Sequence, residues 1–247
     1  MPIIDINAIV LALLLLGLLV LGLFVIGYVA FIFVRHRNRE EKSLESVLMQ
    51  IAVPRGNETK IDAMEQMFSS LSSLKKGGFW QKFSFQPTIS FEIVARKEDI
   101  RFYIWTPVKY KDLLEKQIHG AFPDAEVLEV SEYNIFNESG KVAYKSLQLS
   151  KENYYPIKTF KDLATDPLAA ITSSMAKMGD GEAAAVQIVV SPADIPWQKE
   201  GGSYISDTKK QESNPEKASF STSGKTLESI ESKTSKPGFE VSIRIVA

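Results

Sequence analysis

Three side chains at alternate positions of one predicted strand have the chemistry to contact nucleic acid. Arg101, Tyr103 and Trp105 alternate with apolar residues, so they lie on one face of the strand. Aromatic side chains on an open sheet face stack bases in RNA-recognition domains. This strand lacks the glycine–aromatic–glycine or alanine pattern of that motif, and residues 40–247 carry more acidic than basic side chains. The sequence therefore favours packing of these aromatics against the second half of the chain or a partner subunit, with single-stranded nucleic-acid binding as the alternative.

A second pattern resembles part of a phosphate-binding loop. Residues 223–226, Ser-Gly-Lys-Thr, end like the P-loop, in which backbone amides hold phosphates and the hydroxyl holds magnesium. The P-loop also requires a glycine where this chain has Ser219, and a strand that leads into the loop. Residues 213–222 are too polar to form that strand, so we predict no nucleotide site here.

Composition excludes several kinds of catalytic and metal site. The chain has 247 residues, no cysteine and two histidines, His36 and His119. Disulfides, thiol nucleophiles and cysteine-bearing zinc, haem or iron–sulfur sites are therefore excluded. Neither histidine lies near a candidate serine nucleophile or a cluster of metal ligands, and no carboxylate stands out from surface charge. We expect no enzymatic activity and no cofactor.

The N-terminal region has the composition of a membrane anchor. From Ala8 to Val34 the chain has 27 consecutive uncharged residues, almost all apolar. As a helix this stretch reaches about 40 Å, more than the roughly 30 Å that the hydrocarbon core of a bilayer requires. Basic residues directly after a span stay on the cytoplasmic side, and this span is followed by Arg35, Arg37 and Arg39. Residues 1–39 are thus predicted to be an uncleaved single-pass anchor in the cell membrane, with the N-terminus outside and the bulk of the chain cytoplasmic.

The region after the anchor has the pattern of an α+β fold. Apolar residues alternate with polar ones in segments 89–95 and 100–105, and recur at helical spacing in 61–74 and 113–122. Adding the apolar strands near residues 46–52 and 126–130, the order over 46–131 is strand, helix, strand, strand, helix, strand. This is the ferredoxin-like order, in which two helices cover one face of a four-stranded antiparallel sheet.

Residues 142–247 begin the same order again. A strand at 142–149, a helix at 168–178 and a strand at 184–190 are followed by a polar stretch from about 198 to 238. Composition predicts that this stretch is mostly a mobile insertion, with a short helix around Leu227 and Ile230. With a last strand after it, we predict a second, incomplete ferredoxin-like unit that lacks its second helix and fourth strand.

The last strand is a candidate docking edge. Phe239, Val241, Ile243 and Ile245 alternate with polar residues, as in a half-buried strand. We expect its outer edge to be unpaired, and an unpaired edge invites a strand from another chain.

Several segments together resemble a known kind of domain. They are residues 51–58 (IAVPRGNE), 63–71 (AMEQMFSSL), 89–95 (ISFEIVA), 100–105 (IRFYIW) and 236–244 (KPGFEVSIR). In this order they resemble a membrane-proximal domain of unknown function. In proteins of candidate-phylum bacteria with small genomes, that domain lies between a transmembrane anchor and a type IV secretion or conjugative DNA-transfer ATPase of the coupling-protein kind. The ATPase module itself does not occur in this chain.

The resemblance implies a role at the membrane without catalysis. We expect a cytoplasmic scaffold that self-associates or assembles with a secretion or DNA-transfer ATPase beside the lipid bilayer. The alternative is a membrane-tethered module that binds single-stranded nucleic acid through the open sheet face.

Overall fold

The N-terminal helix is built almost entirely of apolar residues, and most of its large side chains are exposed. A computed structural model describes residues 6–36, 45–75, 86–138, 140–212 and 224–247, and its first element is α1 (Ile6–His36). Within α1, Val10–Phe33 has a mean hydropathy of 3.0 and is long and apolar enough to cross a membrane. None of that stretch is buried inside the protein. The predicted apolar helix is therefore confirmed.

The next six elements follow the predicted order. They are β1 (Ser46–Ala52), α2 (Asp62–Leu71), β2 (Ile89–Arg96), β3 (Asp99–Pro107), α3 (Lys111–Ala121) and β4 (Glu126–Val130). Strands β2 and β3 are joined by only two residues, and the second of them, Glu98, has a positive φ of 56°. The alternation and helical spacing in the sequence thus place these elements to within two or three residues.

The second half adds three strands and three helices. They are β5 (Tyr144–Leu147), α4 (Pro167–Met175), β6 (Ala183–Pro192), α5 (Pro196–Glu212), α6 (Gly224–Thr234) and β7 (Phe239–Val246). Helix α4 begins where the sequence predicts it, because proline at the first helical position follows Asp166. The carboxylate of Asp166 caps the helix by accepting a hydrogen bond from the backbone N–H of Leu168 at 2.9 Å.

The polar stretch from about 198 to 238 is not the mostly mobile insertion that its composition predicts. Its described residues form most of α5 and all of α6, which pack on each other. The short helix around Leu227 and Ile230 is confirmed, and both side chains are buried. Gly201 permits this packing, because a Cβ there would lie 2.6 Å from Cγ2 of Thr234. Because this glycine allows α5 and α6 to approach closely, few apolar residues are needed to pack the two helices together.

Three tyrosines complete this helical hairpin. The rings of Tyr154 and Tyr155 stack with centroids 5.1 Å apart, and both contact Tyr204 of α5. The hydroxyl of Tyr155 donates to that of Tyr204 at 2.9 Å, and this hydrogen bond raises the pKa of Tyr155 to about 12. On α6, Lys233 donates to the carbonyl oxygens of Asn153 and Tyr155. The segment around residues 151–155 is thereby fixed to the hairpin.

The seven strands of the described residues form one antiparallel sheet in the order β4-β1-β3-β2-β6-β7-β5. The two halves meet at β2 and β6, which pair over the full length of β2, from Ile89 with Val190 to Arg96 with Ala183. In the first half, β3 lies beside β2 and β1 lies beyond β3. In the second half, β7 lies beside β6 and β5 lies beyond β7. The halves differ at their outer ends, because β4 lies beyond β1, whereas β5 is the last strand of the sheet.

The core lies between the sheet and helices α2, α3 and α4, which cover the same face. Met49 of β1, Leu71 of α2 and Leu114 of α3 are almost fully buried in the first cluster. A second cluster joins Met175 of α4 to the helix side of β2 and β6. The opposite face of the sheet is contacted by a different segment of the chain, which follows β4.

Candidate functional site

Residues 131–137, which we call the strap, lie over the sheet face opposite the helices. The strap follows β4 and contains neither helix nor strand. Tyr133 packs on Tyr103 with ring centroids 5.2 Å apart, and Ile135 packs against the same apolar cluster. Arg96 of β2 donates to the carbonyl oxygen of Asn134 at 3.0 Å. The strap thus holds part of this face away from solvent.

Beneath the strap, one cross-strand row of residues is mainly polar. Strand pairing places its members side by side from one edge of the sheet to the other: Leu128, Gln50, Tyr103, Glu92, Gln187, Arg244 and Ser146. Such neighbours on one face of a sheet are close enough to interact through their side chains. The sequence alternation predicts which residues share a face, but only the pairing register aligns them in a row.

The centre of this row is a buried carboxylate. Glu92 is 7% exposed and accepts hydrogen bonds from Ser90 Oγ at 2.7 Å, Tyr133 OH at 2.5 Å and Gln187 Nε2 at 3.1 Å. All three donors are neutral, and together they replace much of the hydration that the carboxylate loses on burial. Burial and the hydrogen bond to Glu92 raise the pKa of Tyr133. The strap is therefore attached to the sheet by a polar contact as well as by ring packing.

A shallow cavity of about 450 Å³ lies along the strap. Its polar lining includes Glu92, Gln187 and Arg244, and Trp105 and Phe136 contribute aromatic surface. In the described parts of the chain, no three side chains of the metal-binding types lie close enough together to hold a metal ion. The cavity lining offers two carboxylates, Glu92 and Glu132, one guanidinium and one amide, which are groups that form hydrogen bonds and ion pairs with a bound molecule.

The three residues predicted as an interaction face do share one side of β3, but they differ in access. Tyr103 is 8% exposed beneath Tyr133, and Trp105 is half-buried in the cavity lining. Arg101 is exposed and forms an ion pair with Asp99 at 2.8 Å. Tyr103 also packs with Ala185 of the second half. In this arrangement Tyr103 offers no ring face to a base.

The predicted docking edge at β7 is wrong as stated, because β7 is an interior strand. Its inner side pairs with β6, and its outer side pairs with β5 from Ile243 to Val246. Phe239 and Val241 precede the stretch that pairs with β5, and Val241 is 53% exposed. The sequence suggests an edge because nothing in the last strand reveals that a strand almost a hundred residues earlier returns beside it.

The free edge of the second half is β5. All four of its residues are exposed, and Leu147 is 51% exposed although its neighbour in the sheet is Ile243. Further exposed apolar side chains lie just outside the strand, at Val142 and Leu149. The outer side of β5 carries no strand among the residues that the structure describes. The unpaired edge thus lies one strand further out than predicted.

Comparison with protein families matches residues 36–247 to a family described as a domain of unknown function, DUF8128. The chain belongs to the DUF8128 family. Its match begins at the end of α1 and covers both halves of the sheet and the α5–α6 hairpin. No curated protein matches the chain.

The predicted topology signal and the rejected P-loop-like motif both lie at borders of the described residues. Arg35 is in the last turn of α1, while Arg37 and Arg39 fall outside the described residues. The predicted orientation, with the N-terminus outside and the bulk of the chain cytoplasmic, therefore stays a prediction. Of the P-loop-like residues, Ser223 also falls outside, and Gly224 to Thr226 form the first turn of α6.

Proposed function

We propose that this DUF8128 protein is a membrane-anchored scaffold that docks a protein partner at the outer end of its second half. In this proposal α1 spans the cell membrane with the N-terminus outside, and Arg35, Arg37 and Arg39 keep the rest of the chain in the cytoplasm. The observation that carries the proposal is the uncovered edge strand β5 with its exposed Leu147. Strand edges of this kind recruit strands from other chains.

We further propose that residues 46–131 form a ferredoxin-like unit and residues 142–247 an incomplete one. The strand order β4-β1-β3-β2, with α2 and α3 on one face, supports the first assignment. In the second half, β5, β7 and β6 occupy the places of β1, β3 and β2. The helical hairpin α5–α6 takes the place of the two-residue turn between β2 and β3. The place equivalent to α3 and β4 is the one that a partner fills.

The identity of the partner is the least constrained part of the proposal. The resemblance stated above supports a type IV secretion or conjugative DNA-transfer ATPase, or another copy of the chain. A scaffold role fits both features described above. The cavity beside the strap offers groups for binding rather than a catalytic arrangement, and the free strand edge of β5 can pair with a strand of a partner. A nucleic-acid role is not proposed, because Tyr103 is buried beneath the strap.

Photo-crosslinking in membranes tests the scaffold role. A photoreactive phenylalanine analogue replaces Leu147 in the full chain, and Lys199, an exposed residue of α5, is the matched control position. We expect protein adducts from position 147 and few from position 199. If position 147 gives no protein adduct, or no more than position 199, the proposed docking side is wrong.

A further inference from the structure

The two free edges of the sheet carry opposite charge. Around β4, residues 117–132 contain four acidic side chains and no lysine or arginine: Asp124, Glu126, Glu129 and Glu132. Around β5, residues 140–151 contain three lysines and no acidic side chain: Lys141, Lys145 and Lys151. Because β4 and β5 are the outermost strands, these charges lie at opposite ends of the same molecule. Glu129 is already ion-paired with Lys111 of α3, so among the described residues the unpaired acidic charge near β4 comes from Asp124, Glu126 and Glu132. This charge is opposite in sign to that of the lysines around β5.

The two edges also match in the side chains that they present. Leu128 of β4 and Ser146 of β5 are the end members of the polar cross-strand row, and both are exposed. On the helix side, β4 has Val127 and Glu129, and β5 has Lys145 and Leu147, as their pairing with β1 and β7 shows. If β4 of one copy lay parallel to β5 of another with Leu128 level with Ser146, Val127 would lie beside Lys145 and Glu129 beside Leu147. Glu129 and Lys145 would then be diagonal neighbours on the helix side, which is still within reach of long side chains.

We propose that the partner at β5 is a second copy of this chain, which docks its β4 edge there, an inference that rests on the proposed scaffold function. The sheet then continues from one copy into the next. Since every neighbouring pair in the sheet is antiparallel, β4 and β5 run in the same direction, so the new pair is parallel when both copies have the same orientation. One copy presents β4 and the next presents β5, so each copy retains one free edge.

Membrane attachment favours this head-to-tail contact over a symmetric one. Only residues 37–45 separate α1 from β1, which allows at most about 30 Å of extended chain. In the head-to-tail arrangement, the first residue of β1 lies at the same end of the strands in every copy. A two-fold contact between two β5 edges would place the starts of β1 at opposite ends of the sheet. It would also bring the two lysine-bearing segments together, which is unfavourable.

A head-to-tail interface is heterologous, so it continues beyond two copies. Such contacts produce closed rings when the rotation between copies closes, and open rows when it does not. Each copy added on a membrane leaves one β4 edge and one β5 edge free for further growth. The inference therefore predicts oligomers larger than dimers.

Cysteine crosslinking of the full chain in membranes tests the pairing. The chain has no native cysteine, so only the introduced cysteines can react with the crosslinker. Leu128→Cys is expressed in one tagged copy and Ser146→Cys in a second copy with another tag, and a short bis-thiol crosslinker is added. We expect a crosslinked dimer that carries both tags, and no dimer from either variant alone. A chain that holds both cysteines should give a ladder of higher oligomers.

A charge exchange adds a second readout. Lys145→Glu in the Ser146→Cys copy should lower the yield of the mixed dimer by about two- to fivefold, the range expected for an exposed charge pair. Glu129→Lys in the Leu128→Cys copy should restore it. Lys199→Glu is the matched control and should leave the yield unchanged, because Lys199 is an exposed residue of helix α5 and does not belong to either edge strand.

Three results would overturn the inference. They are crosslinking of Ser146→Cys with itself as strongly as with Leu128→Cys, absence of any crosslinked copies, and equal effects of Lys145→Glu and Lys199→Glu. If position 147 captures a different protein and no copies crosslink, the inference fails while the scaffold function stands. If position 147 captures no protein at all, the scaffold function fails as well.

Discussion

The two halves of the sheet share one connectivity but end differently. At the outer end of the first half, β4 pairs with β1, and α3 buries Leu114 and Ile118 over the sheet at 0% and 3% exposure. At the outer end of the second half, β5 has no covering helix or strand in the described residues, and Leu147 is half exposed. Equivalent positions are thus core in one half and surface in the other. The difference leaves Leu147 exposed at a place that α3 and β4 cover in the first half.

The halves also differ at the connection between their second and third strands. Two residues join β2 to β3, whereas β6 and β7 are joined through the helices α5 and α6. The hairpin buries Leu227 and Ile230 and holds three tyrosines, so it is a packed element of its own. A repeated sheet connectivity therefore tolerates a large structured insertion at a turn, as loop positions generally do.

The largest expected effect contrasts the two outer ends directly. Leu114→Ala leaves a cavity under α3 and should lower the free energy of unfolding by about 2–5 kcal/mol. Leu147→Ala removes an exposed side chain and should change it by less than about 0.5 kcal/mol when the chain is monomeric in detergent. Urea denaturation of the full chain in micelles measures both. Equal losses would mean that β5 is as buried as the first half, against the comparison.

The next effect concerns the insertion that only the second half has. Gly201→Ala should destabilise by about 1–3 kcal/mol, because overpacking forces α5 away from Thr234 and Tyr154. Gly202→Ala is the matched control, since a Cβ there meets nothing within 4 Å. At this neighbouring position the substitution should stabilise the helix by about 0.5–1 kcal/mol. Thermal unfolding followed by circular dichroism compares the two, and a neutral Gly201→Ala would argue against tight contact between α5 and α6.

The strap gives an effect of similar size, at the joint between the halves. Tyr133→Phe removes a hydrogen bond to the buried Glu92 carboxylate, for which the expected cost is about 1–3 kcal/mol. The loss should appear as faster amide exchange in residues 134–137. Unchanged exchange there would show that the ring packing on Tyr103 alone holds the strap.

The same tyrosine gives a pH dependence with a defined sign. Since burial raises the pKa of Tyr133 in the folded chain, its contribution to stability is fully present below its ordinary pKa of about 10. That contribution is lost as pH rises through the higher pKa of the folded state. The difference in stability between wild type and Tyr133→Phe should therefore be constant up to about pH 10 and shrink above it. A difference that grows above that pH would contradict the assignment.

The smallest effect comes from the ion pair that bridges the halves. Lys97 in the β2–β3 turn pairs with Asp180 at 2.8 Å, but their side chains are 49% and 83% exposed. Lys97→Ala should cost less than about 1 kcal/mol, because exposed ion pairs are weak. Denaturation at low and high salt checks this. A larger loss would mean that charge, rather than the pairing of β2 with β6, joins the halves.

Local patterns predicted the elements of the first half because each is periodic by itself. The alternation around Phe91 and Phe102 and the helical spacing of Leu114 and Ile118 are visible in the sequence. In α5 the decisive features are Gly201 and Tyr204, whose contacts lie in other segments of the chain. Neither contact is visible in the sequence of α5 itself, so its polar composition alone predicts a loop there.

Residues of the candidate site were harder to predict than the fold. Arg101, Tyr103 and Trp105 share a face as alternation requires, yet burial of Tyr103 depends on a strap that has no periodicity. Glu92 looks like any other surface carboxylate in an alternating strand until Ser90, Tyr133 and Gln187 surround it. The edge position of β5 depends on pairing between distant strands, and periodicity within one strand carries no information about its neighbours.

Amide hydrogen exchange on β5 is the most direct test of the docking side. The full chain is compared in its native membrane and as a dilute monomer in detergent micelles, and exchange is resolved for residues 144–147. The account predicts that those β5 amides that do not bond to β7 exchange fast in micelles and are protected in the membrane. Exchange that is equally fast in both states would show that β5 remains free, and would contradict a docking role for the second half.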